Sequence, residues 1–134
     1  IVRRRGGEWH VLHVPEYPLE GGMRLRGHTY EQVESYEREV REDAWDRMHA
    51  IVDPIAQESG VTPKLWMAEG LPSEQIIKAV GELQADMLVM GTIGRVGLAG
   101  LVVGNTADKV FSHVDCSVVA IKPADFQTPV EPGD

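Results

Sequence analysis

The sequence predicts an α/β protein built on a doubly wound parallel sheet. Three observations predict it. Short apolar, β-rich runs alternate with longer segments whose apolar residues recur every three or four positions, the order that parallel βαβ units require. The run Met87-Leu-Val-Met90 is continuously apolar, which suits a strand covered on both faces. That run delivers the chain to a loop with glycines at 91, 94, 97, 100 and 104, and then to a helix opening on Asn105.

The elements follow in order. Residues 1–5 read as the last turn of a helix, stopped by Gly6-Gly7. Residues 9–14, Trp-His-Val-Leu-His-Val, form a strand ended by Pro15. Residues 15–28 are polar, contain Gly21-Gly22 and show no periodicity, so they read as a loop. Thr29-x-x-Gln32 is a capping-box pattern that opens the longest helix. Its inward stripe is Val33, Tyr36, Val40, Ala44, Met48, Ile51 and Ile55, opposite a face dense in Glu, Asp and Arg. Pro54 should kink it, because proline lacks the N–H that would bond to Ala50. Gly60 ends it. Residues 62–68 are a weaker strand, interrupted by Pro63 and Lys64. Pro72 starts the next helix at a position where a missing N–H does no harm, with Ile76, Ile77, Val80 and Leu83 inward. After the strand at 87–90 and the glycine loop, the helix from Asn105 buries Ala107, Val110, Phe111 and Val114. Residues 116–121 are the last strand. The domain therefore covers residues 1–124, and 125–134 is a proline-rich tail.

Composition narrows the function. A chain of 134 residues with a net charge of −8 can bury one core. It lacks the clustered Lys/Arg that a nucleic-acid surface needs, since Arg3-Arg4-Arg5 is its one basic cluster. The single cysteine, Cys116, leaves no internal disulfide and points to a reducing, cytoplasmic setting. It stands at the entrance to an apolar strand and reads as a small buried side chain. No run approaches the length of a membrane span.

The chemistry-bearing region is the glycine loop. A strand that leads through glycines to a helix mouth builds an anion site, because the first helical N–H groups lack partners and the dipole adds partial positive charge. Glycine permits positive φ and close approach of a ligand. Arg95 adds a full charge beside it. The other reading of the same residues is plain turn chemistry.

Residues 85–123, with Gly91-x2-Gly94-x9-Gly104, resemble the C-terminal half of a universal stress protein domain. The ending Ile121-Lys-Pro-Ala-Asp-Phe resembles the E-type members of that family, which carry two such domains in tandem. The resemblance implies an adenine nucleotide alpha hydrolase-like fold and ATP, with Mg, held at Gly91, Thr92, Gly94, Arg95, Gly104, Asn105 and Thr106. Nucleotide-binding members place a hydroxyl where this chain has Asn105; its amide can donate to a phosphate oxygen, and Thr106 offers a hydroxyl one position on. The resemblance also implies pairing through the last strand, as a homodimer or between tandem domains. The family's sheet order is 3-2-1-4-5, and aligned on it this chain lacks the central first strand. Four strands around an empty slot would leave backbone groups unpaired, so the expectation is an N-terminally incomplete domain. The Asp that members carry at the tip of that strand has no counterpart here.

Other candidates carry less. His10 and His13 sit three apart on a strand and face opposite ways, so they cannot ligate one metal. His28, His49 and His113 have no partner spacing, and nothing in the sequence brings a second carboxylate to Glu58 or Glu69. The chain has no serine nucleophile elbow, HExxH, CxxC or Walker lysine. Leu98, Leu101, Val102 and Val103 are apolar for a loop and either tuck under the sheet end or against a neighbouring domain, or line a pocket for an apolar ligand. The expected function is thus a non-catalytic stress-response module holding ATP or a related nucleotide. The alternative is a degenerate E-type domain that binds an apolar ligand or a protein partner without nucleotide.

Overall fold

The computed structural model describes residues 7–91 and 104–122. The chain divides into two compact units, Ile1–Glu69 and Gly70–Asp134. Each is a helix-flanked pair of parallel strands.

In the first unit, β1 (His10–His13) pairs in parallel with β2 (Lys64–Met67), His10 beside Lys64 and His13 beside Met67. The ladder is extended by Lys64 N–H donating to Trp9 O at 2.8 Å and Ala68 N–H to His13 O at 3.1 Å. Between the strands lie α1 (Glu20–Leu25) and α2 (Tyr30–Ser59). The first helix is a departure from the loop expected at 15–28. Gly21 and Gly22 lower its helix propensity and leave no apolar period to read. Local bonds hold it instead, with Arg24 paired to Glu20 one turn back at 2.9 Å. The N-terminus of α2 is the capping box expected at Thr29 and Gln32. Its C-terminus is Gly60 at φ 73°, a left-handed conformation that glycine adopts without a Cβ penalty.

The buried line on α2 is Val33, Ala44, Met48 and Val52. Ile51 and Ile55, expected inside, are 66% and 48% exposed. The line therefore shifts by one residue after Met48. The shift falls in the turn where Pro54, inside an unbroken helix, removes the N–H that would reach Ala50 and crowds its carbonyl.

In the second unit, α3 (Pro72–Glu82), β3 (Met87–Gly91), α4 (Asn105–His113) and β4 (Ser117–Ile121) follow in turn. Strands β3 and β4 are parallel, with Val89 beside Val119 and Gly91 beside Ile121. Ala107 and Val110 form the buried face of α4. Two expectations change here. Phe111 and Leu83 are 36% and 38% exposed rather than inward. The β3 run is covered on one face: Leu88 and Met90 are half-buried, whereas Met87 and Val89 are exposed. Cys116, half-buried, stands just before β4.

Among the described residues β1 pairs only with β2 and β3 only with β4. The last turn read at residues 1–5 and the tail at 125–134 lie outside the described residues.

Candidate functional site

The second unit builds a helix mouth beside a strand end. Gly91 is the last residue of β3, and Gly104 is the N-cap of α4. A helix that joins two parallel strands runs antiparallel to both, so the mouth of α4 lies at the carboxyl end of β3. Open α/β sheets take ligands at this edge.

Gly104 has φ −58° and ψ 153°, and its carbonyl accepts from Asp108 N–H at 3.0 Å. Positive φ is thus not what glycine supplies at 104. A glycine there carries no Cβ that could stand over the first amides of α4. Gly104 has no side chain with which to cap this terminus. Asn105 is exposed and Thr106 half-buried, so an amide and a hydroxyl stand beside the first backbone N–H groups. Asp108, also in the first turn, complements the dipole with a carboxylate. The first turn of α4 thus carries an amide, a hydroxyl and one carboxylate beside its leading N–H groups.

Of the residues expected at the site, the structure places Gly91, Gly104, Asn105 and Thr106. Thr92, Gly94 and Arg95 lie outside the described residues, as do the other loop glycines and Leu98, Leu101, Val102 and Val103. Among the described residues no group of three His, Cys, Asp or Glu could hold a metal ion. No helix among them is long and apolar enough to cross a membrane.

The first unit carries two polar clusters. His10 stacks on Trp66 with ring centroids 6.0 Å apart, and Trp66 Nε1–H donates to His10 Nδ1 at 2.9 Å. That bond leaves the proton on Nε2, which meets Glu8 Oε2 at 3.1 Å. Lys64 Nζ reaches the other Glu8 oxygen at 3.3 Å. The Glu8 carboxyl is held below its ordinary value, first by its bond with His10 and then by Lys64.

The second cluster was not legible from sequence. Tyr17 donates to Glu69 Oε1 at 2.6 Å, and Arg41 Nη1 donates to the Tyr17 hydroxyl at 3.5 Å. Arg41 also lies 3.8 Å from Glu69 and 3.9 Å from Glu37, so a second carboxylate does stand near Glu69. The Tyr17–Glu69 contact spans 52 residues, and no local spacing announces it.

The profile of the Universal stress protein family matches residues 1–122. Universal stress protein E of Salmonella typhi is 36% identical over 105 residues, which cover 77% of this chain and 33% of that protein. The Universal stress protein E homolog of Haemophilus influenzae is 41% identical over 120 residues, 90% of this chain and 37% of that one. The chain thus spans about a third of the length of these curated relatives. Among solved structures, hypothetical protein MJ0577 superposes with a TM-score of 0.70 at 22% identity, covering 85% of this chain and 74% of its own. A universal stress protein in complex with cAMP superposes with a TM-score of 0.50 at 17% identity, covering 90% and 78%. At these identities the structural matches establish the fold alone.

Proposed function

The chain belongs to the universal stress protein family, and from that premise we propose that it is a stress-response binding module whose α4 mouth holds ATP or a related adenine nucleotide. One observation carries this reading: Gly104, a residue with no side chain of its own to cap the helix, leads into α4 behind a strand ending at Gly91. The ligand's phosphates would be held by the first amides of α4, Asn105 and Thr106, with Gly91, Thr92, Gly94 and Arg95 completing the loop. The cAMP bound by a universal stress protein of similar fold makes the adenine nucleotides the first ligands to test. Mg enters this reading only as the nucleotide's own counter-ion. The role is binding without turnover, because an anion hole supplies positioning and electrostatics but moves no proton.

Isothermal titration of the full chain with ATP, AMP and cAMP tests the reading. Saturable binding that weakens roughly three- to tenfold in Asn105→Ala is expected, the loss of about one hydrogen bond to a charged group. Asp108→Asn should tighten it about two- to fivefold, by removing a like charge near the phosphates. No saturable heat at millimolar nucleotide rules the site out.

A second reading has its own observation. Met87, Val89, Val119 and Ile121 are all exposed, and they lie on one face of the β3–β4 pair. Parallel sheets bury both faces, so this face suits a partner domain or an apolar ligand. Native mass spectrometry separates the two readings. Retained nucleotide favours the first, and a dimer or a retained lipid-like mass favours the second.

A further inference from the structure

Strands β1 and β2 end at His13 and Met67, and the last ladder bond runs from Ala68 N–H to His13 O at 3.1 Å. Just past that end, the Tyr17 hydroxyl donates to Glu69 Oε1 at 2.6 Å. Arg41 on α2 donates to the same hydroxyl at 3.5 Å. A second pin follows two residues on, where Leu19 N–H donates to the Tyr36 hydroxyl at 3.1 Å. Beyond these pins the chain has little to hold it. Helix α1 has no buried residue. A Cβ at Gly21 or Gly22 would meet nothing within 4 Å, and Leu25 is 91% exposed.

A segment fixed by polar pins at one end, whose one buried residue, Pro15, lies at its root beside β1, opens locally without unfolding the sheet beneath it. We propose that residues 15–28 are a strap latched across the carboxyl end of the β1–β2 pair, with the Tyr17 hydroxyl as the latch and Glu69 as its catch. The edge it crosses is the one where open parallel sheets receive ligands, so release of the latch governs access to the first unit. Burial, and then the bond to Glu69, hold the Tyr17 phenol above its ordinary pKa. The hydroxyl therefore keeps its proton, and the latch stays set, well into the alkaline range.

Hydrogen–deuterium exchange of the full chain, read by mass spectrometry, tests the latch. Tyr17→Phe should speed exchange across residues 18–28 roughly three- to tenfold, the effect of one net hydrogen bond, while the amides of β1 and β2 keep their rates. Glu69→Ala should match it, and the double variant should be no faster than either single one. Unchanged strap rates in Tyr17→Phe, equal acceleration of the strands, or additive single effects would each overturn the proposal.

Discussion

Thr29 seals the start of α2 in both directions. Its hydroxyl accepts from Gln32 N–H at 3.2 Å, and its own N–H donates to Gln32 Oε1 at 2.8 Å. Thr29→Ala should cost about 1 kcal/mol, visible as a lower urea midpoint by circular dichroism; an unchanged midpoint would show that α2 is held by packing alone. Glu8 makes a prediction with a sign. Its carboxyl titrates below 4.5 in the fold, chiefly through His10 and Lys64. A depressed folded pKa contributes stability above the unfolded value, and that contribution disappears as pH falls through the folded one. Wild type should therefore melt slightly higher than Glu8→Gln at pH 7, and the gap should close as the pH drops below 4.5. A gap that persists in acid would assign the effect to packing. The Thr29 box was readable because its partners are three residues apart. The His10–Trp66 pair was not, because 56 residues separate its members.

At the scale of elements, α2 shows where a periodic pattern stops being a guide. The stripe from Val33 to Met48 reads correctly, and then burial passes to Val52 while Ile51 turns outward. Pro54 sits in that turn and withholds a donor from Ala50. Pro54→Ala restores a backbone bond, so the variant should be more stable by about 1–3 kcal/mol, seen as a higher melting temperature. If the melting temperature falls, the proline-adapted packing around Val52 outweighs the regained bond. Helix α1 escaped detection for the opposite reason. Its two glycines erase the propensity signal, and an i,i+4 ion pair with backbone turns replaces it. The mouth of α4 was legible in outline, because strand, glycine spacing and Asn105 lie in sequence order. What could not be read was the conformation of Gly104, whose φ of −58° any residue could adopt.

Across the whole molecule, the alternation of apolar runs with amphipathic segments was enough to read the parallel pairing of both units, since it dictates crossover connections. It could not say which sheet faces would stay uncovered. That depends on contacts between distant segments, as the exposed face of β3–β4 shows. The face bears on association. The chain carries a net charge of −8 at pH 7 and has an isoelectric point near 5.1. Mutual repulsion therefore opposes contact between copies at neutral pH and fades toward pH 5. An apolar face with Val89 55% and Ile121 54% exposed supplies the attraction that remains. Self-association measured by sedimentation velocity should rise as pH falls from 7 toward 5.1. At pH 7 it should rise with added salt, which screens the like charges. Val119→Glu places a carboxylate in the middle of the face, beside Val89, and should abolish both trends while leaving the unfolding midpoint within about 1 kcal/mol, as for an exposed site. Association that survives Val119→Glu unchanged would move the contact away from β4, and with it the case for a partner surface on this sheet.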